Sequence, residues 1–296
     1  MSLCGSVVVY ICKKEYNLIN RTNKELSMRF KIELQLKDKR NVLPINYQYP
    51  LSSWIYKTLS NANKEFADFL HGTGYQLENK KTFKLFTFSE IQIPKGKWKI
   101  IPDSDRIQIW AETISFKIAF QLPEQTESFI SGLFQKQNGS IGDSISQIQF
   151  QVKQIERLKD SENKNTPIKL RTLSPVVISE NIEGRKHESY LNPNSENYEK
   201  LLINNLRDKH RALQIKNKLK QIEIKESSIK FIINKENIKR KKITIKAHTQ
   251  NAVDVIAYKY EFELLAPPEI ANILLNSGLG SMNSMGFGMC AVQQAE

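Results

Sequence analysis

The side chains best suited to moving protons near neutral pH are four histidines, His71, His187, His210 and His248. An unperturbed imidazole titrates near ~6.5, so modest surroundings make it acid or base. The four are scattered, and no HxH, HExxH or CxxC spacing occurs, which argues against a metal centre. No nucleophile elbow supports Ser-His-Asp hydrolysis. A proton-transfer site would therefore have to be assembled by the fold. His71 ends a short helical segment before Gly72, and taken alone it reads as a cation favoured by the helix dipole. Tyr56 lies fifteen residues earlier, which is ~22 Å along one straight helix. Asn61 and Asn63 offer cap chemistry, with Glu65 in a new first turn. A turn there folds the second helix back and can bring phenol and imidazole to one site.

The second chemical feature is the stretch 278–288, GLGSMNSMGFG. Gly278, Leu279 and Gly280 open it, a polar bulge Ser281–Met285 follows, and Gly286, Phe287 and Gly288 close it. Four glycines in eleven residues describe a loop lying against something with no room for side chains. A phosphodiester backbone is one such surface, because exposed N–H groups in such a loop form an anion-binding concavity. The dinucleotide GxGxxG and Walker patterns do not match. By itself the stretch also reads as a tight helix-to-strand connection.

Composition narrows the partner. The 296 residues are 40% hydrophobic and 25% charged, ordinary for a globular protein of one large or two medium domains. The formal net charge is +13. From Lys200 to Lys246 there are fifteen Lys and Arg against four Asp and Glu, a net of +11. Codon bias would spread lysine evenly, whereas a clustered excess argues for a polyanion. The run Lys239, Arg240, Lys241, Lys242 precedes an expected strand, as a solvated hairpin tip or a phosphate contact. Three unpatterned cysteines, Cys4, Cys12 and Cys290, suit a reducing cytoplasm. No apolar run approaches the ~20 residues that span a bilayer.

The elements that must position these groups follow a repeated order. Met28 opens a strand in which Phe30, Ile32, Leu34 and Leu36 alternate with Arg29, Lys31, Glu33 and Gln35. Helices are expected over Ser52–Leu59 and Lys64–Leu70, and strands over Phe83–Ile93, Ile107–Trp110 and Ser115–Gln121. A helix at Pro123–Phe134 and a strand at Ile145–Val152 complete the half. The second half gives a strand Ile168–Ser179 broken at Pro175 and a helix Asn194–Ile215. Strands Ser228–Ile233, Ile243–His248 and Val255–Leu265, a helix Pro267–Asn276 and a strand Gly286–Val292 follow. Both halves have the β-α-β-β-α-β order of a ferredoxin-like domain. The expected class is α+β, with two tandem ferredoxin-like domains at 28–157 and 158–296 and an N-terminal extension at 1–27.

The glycine-rich stretch, LSPVVI at 173–178 and the helix NYEKLLINNLRDKHRAL resemble, in order, the repeat-associated RNA-binding superfamily of CRISPR systems. In particular the chain is similar to the Cas-six family of endoribonucleases that cut CRISPR precursor transcripts. The resemblance covers 28–292. It implies cleavage without metal or cofactor, in which the RNA 2′-hydroxyl attacks the adjacent phosphate to leave 2′,3′-cyclic phosphate and 5′-hydroxyl ends. It also implies that Tyr56, His71 and Lys84 are catalytic, the first two moving protons and the third stabilising charge. Lys80 and Lys81 are nearby substitutes for Lys84. RNA contacts would come from Lys239, Arg240, Lys241 and Lys242, and from Gly278, Gly280, Asn283, Ser284, Gly286 and Gly288. Many members carry Lys or Arg in the bulge, where this chain has Met282 and Asn283. The implied partners are CRISPR repeat RNA and other CRISPR effector subunits, with no membrane, for a cytoplasmic monomer or homodimer. A non-catalytic RNA-binding subunit is the competing class, and a general basic RNA-binding protein is a third.

Overall fold

The computed structural model describes residues 28–62, 64–69, 72, 74–121, 132, 134–135, 137–158, 167–180, 188–219 and 222–293. The extension 1–27, most of the expected 123–134 helix, most of the expected linker, and His71 lie outside them.

Alternation makes the first strand. In β1 (Met28–Leu36) every second residue from Phe30 to Leu36 is buried. The strands that follow are β2 (Asn41–Pro44), β3 (Tyr75–Gln76), β4 (Thr82–Phe83), β5 (Phe86–Phe88), β6 (Trp98–Ile100) and β7 (Arg106–Ile109). Then come β8 (Thr113–Phe120), β9 (Asn138–Gly142) and β10 (Gln147–Arg157). Five of them form one antiparallel sheet ordered β5-β8-β1-β10-β9. Helix α1 (Gln48–Ala62) lays Leu51, Trp54, Ile55 and Leu59 into this sheet's core. A short helix α2 (Lys64–Asp68) follows at once.

The second sheet is built in the same way. Its strands are β11 (Ile168–Thr172), β14 (Lys230–Ile233), β17 (Glu261–Leu265) and β18 (Cys290–Val292), ordered β14-β17-β11-β18. Between them run α3 (Tyr198–Lys216), a hairpin of β15 (Lys239–Ile245) and β16 (Val253–Lys259), and α4 (Pro268–Ser277). The minor pair β12 (Ser179–Glu180) and β13 (Ser189–Tyr190) stands apart. Numbered within each half, both sheets contain the ferredoxin-like order 2-3-1-4, so the expected tandem α+β fold is the fold observed.

Several expectations change, and the strand expected over Val255–Leu265 is one of them: it divides into β16, paired with β15, and β17, in the second sheet. The strand expected over Phe83–Ile93 is broken between Phe83 and Phe86, where Leu85 takes φ +47°. The cause is a change of core: Phe83 and Leu85 pack in the second core, Phe86 and Phe88 in the first. Lys84 therefore sits at a kink and not within a strand. The cluster Lys239–Lys242 lies inside β15 and does not precede it, because β16 supplies the ladder that this exposed, charged segment needs. Arg29, on the outward face of β1, is buried because the second half covers it. Its guanidinium donates to the carbonyls of Leu275 (3.2 Å) and Cys290 (2.6 Å).

Candidate active site

The glycine-rich stretch leaves α4 at Gly278 and returns to β18, and it is wedged between the halves. Leu279 and Phe287, each set between two glycines, are fully buried anchors in different clusters. The glycines let the loop approach protein and not an outside surface. A Cβ on Gly286, at φ +87°, would stand 2.5 Å from the Phe88 ring, and one on Gly288, at φ +74°, would collide with the Leu279 carbonyl. Gly278 and Gly280 are buried as well. Thr87 Oγ1 on β5 donates to the Phe287 carbonyl at 2.9 Å, and Gly288 N–H donates to the Pro175 carbonyl at 2.8 Å.

One side chain from the long helix completes the clamp. Lys209 on α3 is 1% exposed, and its Nζ donates to the Gly278 carbonyl (2.7 Å), the Gly280 carbonyl (3.2 Å) and Asn283 Oδ1 (2.8 Å). Asn283 Nδ2 in turn donates to the carbonyls of Leu279 (3.1 Å) and Phe287 (3.0 Å). Burial pushes the Lys209 pKa down to about 7. Asn283 and the four glycines, expected at the RNA surface, are thus buried structural parts of the loop. Ser281, Met282, Ser284 and Met285 are its open residues. Sequence reasoning missed Lys209, although it lies on the basic helix; nothing local distinguishes a buried lysine from its solvated neighbours.

Beside this loop is a cavity of about 220 Å³ lined by, among others, Lys84, Lys209 and Ser284. Half-buried Lys84 donates from Nζ to the Gly72 carbonyl at 3.1 Å, and burial lowers its pKa. Gly72 is the chain neighbour of His71. Tyr56, half-buried on α1, packs edge-on against Phe86 and hydrogen-bonds the Ser284 side chain. Its pKa is raised by burial, with the Ser284 bond pulling the other way. Ser52, one helical turn earlier, donates to the Ser284 carbonyl at 2.7 Å. Tyr56 and Lys84 therefore flank one loop and cavity, Tyr56 through Ser284 and Lys84 directly. Lys81 also lines the cavity and pairs with Asp208 at 2.8 Å.

Further cations lie on both halves. Lys239–Lys242 lie exposed on the hairpin whose buried face packs with Phe287 and, through half-buried Met282 and Met285, with the loop. Lys242 is paired with Asp254 at 2.7 Å. Lys31 on β1 lies between Lys117 on β8 and Glu156 on β10, so the like-charged pair is faced by an acid of the same sheet. Burial lowers the Lys117 pKa first, and Arg29, Arg171 and Lys31 lower it further, against Glu156, which raises it. Among the described residues, no group of three or more His, Cys, Asp or Glu side chains is placed to hold a metal ion, and no helix is long and apolar enough to cross a membrane.

Two ferredoxin-like sheets with a clamped glycine-rich loop between them define the class: tandem ferredoxin-like proteins, here with a cluster of exposed cations on β15. Residues 42–156 match the family model described as CRISPR-associated protein Cas6, N-terminal, and residues 158–292 match CRISPR associated protein Cas6, C-terminal. The chain belongs to the Cas6 family of CRISPR-associated proteins. It is 30% identical over 270 residues to the CRISPR-associated endoribonuclease Cas6 1 of Methanocaldococcus jannaschii, covering 89% of this chain and 92% of that one. A putative CRISPR-associated endoribonuclease-like protein Cas6 of Pyrococcus furiosus is 28% identical, covering 90% and 98%. A solved structure titled CRISPR associated protein Cas6 superposes with a TM-score of 0.68 at 27% identity, covering 91% and 100%.

Proposed function

We propose that this protein is an endoribonuclease that processes CRISPR RNA, cutting within the repeat by general acid–base catalysis and without a metal ion. The similarity to relatives named as Cas6 endoribonucleases supports the activity. The observation that carries the site is the Lys84 ammonium on the Gly72 carbonyl, beside the cavity that Tyr56 reaches through Ser284.

In the proposed reaction a base removes the 2′-hydroxyl proton and the oxygen attacks the adjacent phosphorus. The P–O5′ bond breaks, and an acid delivers a proton to the leaving 5′-oxygen. The products are a 2′,3′-cyclic phosphate and a 5′-hydroxyl. His71 is assigned the base because imidazole is half deprotonated near neutrality. Tyr56, whose burial keeps its proton on, is assigned the acid. The Lys84 ammonium stabilises the charge that builds on the phosphoryl oxygens. The exposed cations of β15 add affinity through the phosphates without reading sequence. The domain division is proposed at residues 157/158, and cytoplasmic action on RNA is part of the same reading.

The test is cleavage of end-labelled repeat RNA in EDTA, with the product ends analysed. Cutting that persists in EDTA, leaves cyclic phosphate ends and collapses in His71→Ala supports the reading. Tight binding of repeat RNA without cutting by the wild-type protein would instead assign a non-catalytic RNA-binding subunit.

A further inference from the structure

The small sheet β2-β7-β6 plays no part in the site described above, yet its edge has an unusual surface. Trp98 and Trp110 are 42% and 40% exposed, and Ile100 is 55% exposed. Lys95, Lys97 and Lys99 are interleaved with them, and every residue from 94 to 100 is exposed. Trp98 lies opposite Ile109, and Trp110 N–H donates to the Lys97 carbonyl at 3.0 Å. By strand alternation Trp110 shares a face with Lys97 and Lys99, while Trp98 and Ile100 share the other. The same end carries Lys39 and Arg40, since Asn41 pairs with Ile109 in the Trp98 row. The acids nearby are Asp38 and Glu112. Edge lysines alone would be explained as a guard against strand pairing. Two exposed indoles beside them are not.

We propose that this edge is a second RNA-binding site, a platform for unpaired nucleotides flanking the segment that is cut. It rests on the reading of the substrate as RNA. The RNA strand passes around the sheet edge, one base stacking on Trp110 beside Lys97 and Lys99 on one face and another on Trp98 on the other, while Lys95, Lys97 and Lys99 take the phosphates, a combination that tolerates any sequence because every base has a π-face. Charge complementarity selects RNA over a protein partner: the ribbon from Pro94 to Ile100 carries three cations and no acid.

Intrinsic fluorescence tests it directly. Of the three tryptophans only Trp54 is buried, so Trp98 and Trp110 give the exposed signal. The probes are a U-rich single-stranded 12-mer, repeat RNA alone, and repeat RNA with an unpaired extension. The 12-mer is expected to quench wild-type fluorescence with a strong salt dependence. The extension is expected to tighten binding on the order of tenfold, and Trp98→Ala/Trp110→Ala is expected to abolish that gain. The same double variant cuts repeat RNA alone at the wild-type rate. Absence of quenching by the 12-mer, or an extension effect equal in wild type and variant, overturns the proposal. So does a change of sedimentation in the variant, which would make the edge a protein–protein face. Cleavage of the repeat is read in the same samples, so the platform and the nuclease can fail separately.

Discussion

The Lys209 ammonium lies 2.8 Å from Asn283 Oδ1, joining the middle of the long helix α3 to the centre of the glycine-rich loop. With the Gly278 and Gly280 carbonyls it satisfies three acceptors that are shut away from water. The loop's shape is thus set from inside the protein, and its open face is what remains for a ligand.

Lys209→Met keeps the length and apolar stem but leaves those acceptors without a donor. Each buried polar group left unsatisfied costs about 1–3 kcal/mol. The expected outcome is a lower Tm, faster amide exchange across residues 278–288 and weaker repeat-RNA binding. Lys200→Met, exposed near the start of the same helix, serves as the control for charge alone. Equal exchange in the loop of wild type and Lys209→Met would refute the internal clamp.

The same lysine gives stability a pH dependence. Its folded pKa is pushed down to about 7 by burial, whereas the unfolded chain titrates near the ordinary lysine value of ~10.4. Between these values the unfolded state binds more protons, so this group's contribution to stability rises with pH. The cost of burying the charge is fully present below pH 7 and is relieved as pH rises towards the unfolded value. The Tm of wild type relative to Lys209→Met should therefore climb between pH 7 and 10. A difference that is flat in pH would show the ammonium to be at no electrostatic disadvantage.

Gly288→Ala separates a packing glycine from an RNA-contacting one. The added Cβ meets the Leu279 carbonyl, at a backbone φ of +74° that L residues rarely adopt. The variant should lose stability by several kcal/mol, judged against about 1–3 kcal/mol for a strained conformation alone. Ser284→Ala, on the open side, should keep its Tm within a degree or two and lose RNA affinity and cleavage instead. A Gly288→Ala protein with unchanged Tm and reduced RNA binding would return that glycine to the RNA surface.

The fold was legible because alternation in β1 and amphipathic spacing in α1, α3 and α4 state locally which face is buried. The element order then leaves the repeated ferredoxin-like plan. The breaks were not legible. Leu85 turns the chain from one core to the other, and which core receives a side chain is decided by partners distant in sequence. The glycine-rich loop announced itself by composition, but not what it lies against. Glycines that admit a phosphate and glycines that admit Phe88 look the same in a one-dimensional string. In the sequence Lys209 is one of fifteen basic residues between Lys200 and Lys246, and only packing shows that its charge points inward.

The assignment of Tyr56 as acid predicts an unusual pH–rate profile. If His71 is the base, single-turnover cleavage rises with pH through the ordinary imidazole range near ~6.5 and then levels. The falling limb begins when the acid or the Lys84 ammonium loses its proton. For an exposed phenol that limb would lie near ~10. Burial raises the Tyr56 pKa but lowers that of Lys84, so the fall should follow loss of the Lys84 ammonium and not of the Tyr56 proton, disappearing in Lys84→Met and persisting in Tyr56→Phe. Tyr56→Phe removes the donated proton while keeping the ring against Phe86, and should cost about 10²–10⁴-fold in rate with little change in RNA affinity. Ser284→Ala removes the bond that opposes burial, which should raise the Tyr56 pKa further and never lower it. A falling limb kept in Lys84→Met and lost in Tyr56→Phe would show that Tyr56 gives up its proton before Lys84 does.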